Sequence, residues 1–536
     1  MTSTTHPIAQ PETLWWRGAA IYQIYPRSFM DADGDGVGDL AGITARLDHV
    51  AALGVDAIWI SPFFTSPMRD FGYDVADFCG VDPVFGTLAD FGALIARAHA
   101  LGLKVIIDQV YAHSSDLHPW FADSRADAAN PHADWYVWAD PKPDGTPPNN
   151  WQSVFGGPAW TWDARRCQYY MHTFLKEQPQ LNCANPAVQD ALLGVARFWL
   201  ERGVDGFRLD ALNHAIHDPL LRDNPAAPFT GKVRTRPFDY QIKLHSQSQP
   251  GMVPFIERIR ALCDEFGAIH TVAEVGGDNA AEEIAQFTSG DNRLNSAYGF
   301  DFLYAPALTP QFAAEVLASW AGESSTAWPS WAFENHDAPR AVSRWCAPED
   351  ADRFARMKMA LLTCLRGNII LFQGEELGLF QDVIPFEQLR DPEAIANWPL
   401  TLGRDGARTP MPWLADAPEG GFTTGTPWLP LSAQNLALGV DRQMGDPGSL
   451  LAETHALLAL RRDTPALRLG RIEDITADGA TLTFDRISGG QHLRCVFNLA
   501  PTPAEAGVSA DARIVASINA ATLDLLPGYG ALILEI

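Results

Sequence analysis

The sequence predicts an α/β protein: a (β/α)8 TIM barrel with a subdomain inserted after the third strand and a C-terminal all-β domain. Short apolar runs recur between about Ala20 and Gln373, and helical patterns lie between them. Such runs are typical of parallel strands that are buried on both faces, and eight of them match a closed barrel. An open doubly wound sheet is disfavoured because no Gly-x-Gly-x-x-Gly motif follows the first run.

The predicted elements follow one another in regular alternation. The predicted strands are Ala20 to Tyr25, Ala57 to Ser61, Lys104 to Asp108, Gly206 to Asp210, Ile269 to Glu274, a weaker one near Tyr298 to Asp301, Trp331 to Glu334 and Asn368 to Gln373. Predicted helices between them include Leu88 to Leu101, Ala187 to Gly203 and Pro254 to Phe266. Each strand is thus expected to lead into a helix that returns the chain to the start of the next.

Three regions depart from this alternation and define the domains. Residues 111–179 are too long for an ordinary connection and predict an inserted subdomain within a barrel made of residues 1–110 and 180–468. Residues 380–447 are rich in Pro and Gly and predict an elaborated last loop of the barrel. Residues 469–536 contain short alternating runs and predict the C-terminal β domain.

Composition excludes some classes of partner. The 536 residues include 65 acidic and 39 basic side chains, for a formal net charge of −26. That charge repels a phosphate backbone, so we expect no nucleic-acid partner. A hydrophobic content of 47% favours a folded protein over a disordered one. The seven cysteines form no C-x-x-C motif, which predicts neither a zinc site nor a disulfide framework.

The expected location is the cytoplasm. The segment from Met1 to Pro11 has neither the basic start nor the apolar stretch of a signal peptide. No segment approaches the roughly 20 consecutive apolar residues that a membrane helix requires. We therefore expect no membrane partner. The expected oligomeric state is a monomer or a homodimer.

Ionisable residues occur at the ends of four predicted strands. They are Asp108 and His113, Arg208 and Asp210, Glu274, and His336 and Asp337. Barrel enzymes carry their active sites at the C-terminal ends of the strands. A single such residue often only forms a structural ion pair. Ionisable groups from four strands at one rim, however, predict an active site.

The carboxylic acids suit the cleavage of an acetal. That reaction needs one protonated carboxyl to donate to the leaving oxygen and one ionised carboxylate at the sugar carbon. Arg208 lies two residues before Asp210, on the same face of a strand, and is predicted to keep Asp210 ionised. Glu274 lies between Ala273 and Val275 without an obvious cation, which predicts the protonated acid.

These segments resemble a known family. Asp108-Gln-Val-Tyr-Ala-His113, Gly206-Phe-Arg-Leu-Asp210, Glu274 and Glu334-Asn-His-Asp337 resemble the four signature regions of the α-amylase superfamily, glycoside hydrolase family 13. Gln178-Pro-Gln-Leu-Asn182 is similar to its fifth region in the α-glucosidase form. Arg404-Asp-Gly-Ala-Arg-Thr-Pro-Met-Pro-Trp413 is similar to a segment of oligo-1,6-glucosidases, α-glucosidases and sucrose isomerases. The resemblance extends from about Trp15 to Leu469.

The resemblance implies roles for individual residues. Asp210 is the expected nucleophile, Glu274 the general acid/base and Asp337 the stabiliser of the transition state. The implied substrate-binding residues are Tyr73, Asp74, His113, Phe174, Gln178, Arg208, His336 and Arg404. Tyr73 would stack beneath the sugar, Phe174 would border the leaving-group site, and Asp74 with Arg404 would close the far wall. A pocket closed behind one glucose implies an exo-acting enzyme.

The expected activity is that of a retaining α-glucosidase or α-glucosyltransferase. Ala211 follows the nucleophile, and by the resemblance a small residue there accompanies α-1,4 linkages, so a maltose-type small-molecule α-glucoside is the expected substrate. Water or an alcohol would resolve a covalent glucosyl–Asp intermediate. Ala112 and Gln180 replace the usual Asn and Asp of the family. An oligo-1,6-glucosidase or a sucrose or maltose isomerase is the alternative, and a non-catalytic amylase-like scaffold is a remote one, because all three acids are present.

An acidic loop follows the first predicted strand. Its carboxylates are Asp31, Asp33, Asp35 and Asp39, and alternating hard oxygens around a glycine turn suit Ca²⁺ better than Mg²⁺. An EF-hand is excluded because its twelfth position is Gly42. A solvated acidic turn is the alternative. By the resemblance, this loop holds a structural cation to which Val37 adds its carbonyl; we expect no organic cofactor.

Tryptophans are concentrated in the predicted insertion. They are Trp135, Trp138, Trp151, Trp160 and Trp162. Either they form the core of a small subdomain or they stack on sugars at the mouth of the cleft. The sequence leaves both possibilities open.

Overall fold

The computed structural model describes residues 14–229, 231, 234–277, 280–320, 328–401 and 403–536. The segment from Met1 to Pro11, for which no signal peptide was predicted, lies outside these residues. Within them, a closed barrel of eight strands forms the centre of the molecule. These strands are β1 (Ala20–Ile24), β2 (Ala57–Ile60), β3 (Lys104–Val110), β4 (Gly206–Asp210), β5 (His270–Glu274), β6 (Ser296–Tyr298), β7 (Trp328–Ala332) and β8 (Asn368–Phe372).

Every neighbouring pair of barrel strands is parallel, and β8 pairs with β1 to close the sheet, with Ala20 opposite Ile369. The predicted barrel is therefore confirmed. Two strands begin earlier than predicted: β6 starts at Ser296 and β7 at Trp328. Pro329 lies inside β7, and a proline weakens the sequence signal of a strand because it has no N–H to donate.

Helices lie between the barrel strands and beyond them. The α-helices are Pro26–Phe29, Leu40–Ala52, Leu88–Ala100, Pro119–Ala126, Pro186–Leu200, Met252–Glu265, Ala280–Thr288, Pro310–Ala318, Ala341–Trp345, Ala351–Cys364, Pro392–Asn397, Ala433–Leu436, Val440–Gln443, Leu450–Asp463 and Pro465–Leu469. Local sequence explains where they begin: Thr87 and Asp90 form a reciprocal capping box, and Asn185 caps the helix that starts with Pro186.

The insertion after β3 contains the helix Pro119–Ala126 and a three-stranded antiparallel sheet of Trp138–Ala139, Gln168–Met171 and Trp160–Asp163. Trp151 and Trp160 are buried in a small core with Val137 and Met171. The core interpretation is thus confirmed for these two tryptophans. The alternative, sugar stacking, finds no support: none of the five tryptophans is among the described residues that line the cavity at the C-terminal ends of the barrel strands.

The chain ends in an antiparallel sheet of five strands, in the order Arg471–Asp478, Thr481–Ser488, Gln491–Asn498, Ala531–Glu535 and Arg513–Ile518. Two short strands, Ala504–Glu505 and Leu525–Leu526, pair beside it. The predicted C-terminal β domain is confirmed. In the described part of the chain, no helix has the length and apolarity that crossing a membrane would require.

Candidate active site

A cavity of about 710 Å³ opens at the C-terminal ends of the barrel strands. The acids that line it include the three predicted ones: Asp210 ends β4, Glu274 ends β5, and Asp337 lies in the loop after β7. The sequence predicted that these acids share one rim, and the structure brings them together around one cavity.

A single buried arginine holds the acids of β3, β4 and β5. One guanidinium nitrogen of Arg208, Nη1, lies 2.6 Å from Asp108 Oδ1 and 2.6 Å from Asp210 Oδ1, while Nη2 lies 2.7 Å from Glu274 Oε1. The prediction that Glu274 lacks a nearby cation is therefore wrong. β4 lies between β3 and β5 in the barrel, so a long side chain from β4 reaches both neighbours.

One guanidinium cannot balance three buried carboxylates. Burial raises the pKa of Asp210 well above its ordinary value; Arg208 opposes this, while Glu274, Asp108 and Asp337 raise it further. Burial also raises the pKa of Asp108 to about 6 despite Arg208. Arg208 lies beside Asp210 as predicted, but Asp108 and Glu274 share the same cation, and the raised pKa of Asp210 argues against the predicted ionised state in the free protein.

Tyr298, at the end of β6, joins this cluster. Its hydroxyl accepts hydrogen bonds from Arg208 Nε at 3.0 Å and Nη2 at 2.8 Å, and it donates to Glu274 Oε1 at 3.1 Å. On the opposite side, Trp59 Nε1 donates to Asp108 Oδ2 at 2.9 Å. The sequence prediction did not include Tyr298, since the strand that carries it gave only a weak signal.

Asp337 has a different environment. Its Oδ1 lies 2.6 Å from Arg408 Nη2 and 3.3 Å from Arg404 Nη1, and its Oδ2 lies 3.3 Å from His336 Nε2. Burial would raise the pKa of Asp337, but His336, Arg408 and Arg404 hold it well below its usual range. Burial lowers the pKa of His336 to about 3, so near neutral pH the two guanidiniums are the cations. Asp337 is therefore an ionised carboxylate.

Tyr73 forms part of the cavity wall and His336 supports it from behind. The two rings are parallel within 3°, with centroids 5.4 Å apart, and Tyr73 Oη lies 2.6 Å from His336 Nε2. Tyr73 lines the cavity. His336 and Arg208 are fully buried behind the described lining residues. They contact Tyr73 and the acids that line the cavity, and so support the cavity wall from behind.

The prediction for Asp74 is wrong. Its carboxylate turns into the protein, where it accepts hydrogen bonds from Ser66 Oγ and from the backbone N–H groups of Arg69 and Asp70. Asp70 lines the cavity instead, and its Oδ1 lies 2.8 Å from Arg404 Nη2. Three residues separate the two aspartates, and the tight turn between them points one inward and the other into the cavity.

Arg404 lines the cavity as predicted and is held from behind by Asp391, whose Oδ1 lies 2.8 Å from Arg404 Nη2. Gln178 supports the same wall: its Nε2 donates to Asp70 Oδ2 at 3.1 Å and lies 3.2 Å from His113 Nε2. Gln178 is fully buried behind the described lining residues, so it orients cavity residues and does not face the cavity itself.

The cavity has an aromatic side. Phe174 lines it together with His113, and their ring centroids are 5.1 Å apart. Phe155 lies beside Phe174 at 5.7 Å, and the guanidinium of Arg404 lies 4.9 Å from the Phe155 ring centre. Phe174 and His113 thus occupy the predicted cavity, and Phe155 adds a second apolar ring next to Phe174.

The acidic loop after β1 brings three of its four carboxylates together. Asp31, Asp33 and Asp39 place ligand atoms within 4.8 Å of one another, and Asp35 is not part of that group. Asp31 accepts from the N–H groups of Gly34 and Gly36, and Asp39 caps the helix that begins at Leu40. The loop is therefore built to hold several carboxylates close together.

Acids at the C-terminal ends of the strands of a closed (β/α)8 barrel, here at the ends of β4 and β5 and after β7, are typical of the active site of a barrel enzyme. The chain matches the model of the alpha amylase catalytic domain over residues 23–470. It therefore belongs to the α-amylase family, glycoside hydrolase family 13, and it is a glycoside hydrolase or α-glucosyl transfer enzyme.

Individual relatives narrow the class. A probable alpha-glucosidase of Rhizobium meliloti (strain 1021) is 53% identical over 506 residues, which cover 93% of this chain and 92% of that protein. An oligo-1,6-glucosidase of Heyndrickxia coagulans is 36% identical over 528 residues, covering 91% and 92% of the two chains. The crystal structure of an alpha-glucosyl transfer enzyme has a TM-score of 0.94 and 48% identity, covering 98% of this chain and 99% of its own.

Proposed function

We propose that this protein is a retaining, exo-acting α-glucosidase or α-glucosyltransferase that uses maltose-type α-1,4-glucosides. The observation that carries the proposal is that Asp210, Glu274 and Asp337 face one cavity, bordered by the ion pair of Arg404 and Asp70. That pair links the loop after β2 to the loop after β8. A cavity bridged in this way favours a single terminal glucose over the interior of a polymer.

Two displacements at the anomeric carbon account for the chemistry. Asp210 attacks this carbon while protonated Glu274 donates its proton to the departing oxygen, which gives a β-glucosyl ester and a free sugar. Glu274, now a carboxylate, then takes a proton from water or an alcohol, whose oxygen attacks the same carbon and releases Asp210. Each step inverts the configuration, so the α configuration is retained. Asp337 remains ionised and accepts hydrogen bonds from ring hydroxyls.

In these steps Glu274 must carry a proton when the leaving oxygen departs, while Asp210 must be ionised. Tyr298 donates to Glu274 Oε1, and the Ala211 N–H lies 3.3 Å from Glu274 Oε2. These contacts hold the acid/base in place through both steps.

Products from maltose and isomaltose, with and without an added alcohol, test the proposal. We expect glucose from maltose, an α-glucoside of the alcohol when it is present, and slower use of isomaltose. The small Ala211, which lines the cavity next to Asp210, supports the α-1,4 preference. The alternative is an oligo-1,6-glucosidase, and a relative of that kind is 36% identical to this chain. Faster use of isomaltose than of maltose would establish that alternative instead.

Asp70→Asn is expected to raise KM for maltose by roughly ten-fold or more, because a hydrogen bond to a charged group contributes about 1.5–3 kcal/mol. Asp74→Asn is its matched partner. Since Asp74 faces the protein interior, we expect a lower Tm with an unchanged KM. Steady-state kinetics and thermal melts of both variants provide the measurement. If Asp74→Asn raised KM and Asp70→Asn did not, the assignment of the two aspartates would be reversed.

We also propose a structural Ca²⁺, or less favourably Mg²⁺, in the loop after β1. The clustered oxygens of Asp31, Asp33 and Asp39 support it, since hard cations take carboxylate and carbonyl oxygens. Asp35 and the carbonyl of Val37 stay predicted ligands. Such an ion would neutralise charge and stabilise the loop, and it would take no part in the reaction.

Removing the ion is expected to lower Tm while kcat, measured well below Tm, stays within about two-fold. A ligand present at 100 to 1,000 times its Kd stabilises the folded state by roughly 3–4 kcal/mol. Thermal melts with and without a chelator provide the measurement, and Asp33→Asn is the control, because it should already lack the chelator-sensitive part of Tm. A Tm that ignores chelator and added Ca²⁺ would contradict the site.

The remaining expectations, a cytoplasmic location and a monomer or homodimer without nucleic-acid partners, stay predictions.

A further inference from the structure

The turn that follows the acid/base is fixed through one carbonyl group. Gly276 lies two residues after Glu274, and its oxygen accepts hydrogen bonds from Asn213 Nδ2 at 2.7 Å and from Gln247 Nε2 at 2.7 Å. Gly276 has no room for a side chain, since a Cβ there would lie 2.3 Å from a ring carbon of Phe300. The path of the chain after Glu274 is therefore closely constrained.

Asn213 belongs to the other half of the active site. It lies three residues after Asp210, in the single turn Leu212–His214 that follows the end of β4. This turn begins at Ala211, which has a positive φ of 41°. The amide of Asn213 thus connects the turn after the nucleophile to the turn after the acid/base.

A buried carboxylate orients that amide. Glu283 Oε2 accepts from Asn213 Nδ2 at 2.7 Å and from Ser248 Oγ at 2.7 Å. The side-chain amide nitrogen of Asn213 carries two N–H groups. One can donate to the Gly276 carbonyl while the other donates to the Glu283 carboxylate. Glu283 lies on the helix Ala280–Thr288 and is 6% exposed. Burying an acid is costly unless it is hydrogen-bonded, so this placement needs a compensating contact.

We propose that Glu283 is a positioning residue for the acid/base Glu274, acting through Asn213 and the carbonyl of Gly276. This proposal deepens the proposed function and rests on it. The acid/base must reach the same oxygen position in both displacement steps, first to protonate and then to deprotonate. A link between the two turns keeps the spacing of Asp210 and Glu274 constant during the reaction.

The test compares substrates that depend differently on the acid. Maltose has a poor leaving group that must be protonated, whereas a dinitrophenyl α-glucoside has a leaving group that departs without a proton. For Glu283→Ala we expect kcat on maltose to fall by roughly ten-fold or more, since a misplacement of about 1 Å can cost about 10²-fold. Formation of the glucosyl–enzyme from the aryl glucoside, measured as the initial burst, should fall by less than about three-fold, and KM for maltose should change little.

Controls separate positioning from folding. Glu282→Gln changes an exposed acid next in sequence on the same helix and should leave both substrates unaffected. If Glu283→Ala does not fold, Glu283→Gln, which keeps an oxygen acceptor for Asn213, should show the same substrate dependence to a smaller degree. Equal losses on both substrates, or no loss on maltose in a folded variant, would overturn the proposal. An active Asp210→Asn variant would instead refute the underlying function.

Discussion

Asp210→Asn is expected to lower kcat/KM on maltose by roughly 10⁴-fold or more, because no covalent intermediate can form without the nucleophile. Glu274→Gln is expected to cost about 10² to 10⁴-fold, the usual contribution of a general acid/base. Neither variant should unfold the protein. Burial and the neighbouring acids raise the pKa of Asp210, so a neutral amide relieves repulsion, and Tm of Asp210→Asn should be equal or higher.

Rates on maltose and thermal melts check this expectation together. Asp48→Asn is a suitable control, since Asp48 is an exposed acid in an ion pair with Arg97, outside the cavity. Full activity of either active-site variant would contradict the roles given to Asp210 and Glu274. A large fall in Tm with Asp210→Asn would contradict the crowding of charge around Arg208.

The second large effect is expected from Arg208→Met. Removing this cation leaves Asp108, Asp210 and Glu274 without their shared partner, and breaking a buried ion pair from one side costs about 3–5 kcal/mol. Arg208→Lys should recover only part of this, because a point charge cannot donate to three carboxylates and to Tyr298 in the planar geometry of a guanidinium. Both variants should lose nearly all activity on maltose.

The pH dependence of the stability lost in Arg208→Met identifies the cause of that loss. Without Arg208, the pKa of Asp108 and of Asp210 should rise further above the unfolded value of about 4. A group whose pKa is raised by folding adds stability below its unfolded pKa and loses that contribution as pH rises through the folded pKa. The penalty of Arg208→Met should therefore grow between about pH 4 and pH 7. Denaturant unfolding at both pH values measures it, and a penalty independent of pH would point to lost packing instead.

The barrel, the rim and the three acids were predictable because each leaves a local signal in the sequence. Buried strands appear as short apolar runs, and the acids follow them directly. The segment Glu334-Asn-His-Asp337 could be recognised from the local sequence alone, without information about distant contacts. The C-terminal domain was predictable for the same reason, since half-buried strands alternate apolar and polar residues.

What the sequence could not reveal depends on neighbours across the barrel. Glu274 looked free of cations because Arg208, which pairs with it, is 66 residues away in sequence and one strand away in space. Asp70 and Asp74 occupy one short turn, and only the turn's geometry decides which carboxylate faces the cavity. Tyr298 and Arg408 act through contacts with side chains from other strands or loops, so spacing along the chain carries no sign of them.

The roles of Asp210 as the nucleophile and Glu274 as the acid/base of a retaining enzyme are tested most directly by the anomeric configuration of glucosyl azide, determined by NMR. Asp210→Ala with azide and α-glucosyl fluoride should give β-glucosyl azide, because azide attacks from the vacated face. Glu274→Ala with azide and a dinitrophenyl α-glucoside should give α-glucosyl azide, because azide opens the covalent intermediate. The opposite pairing of variants and anomers would contradict the assignment.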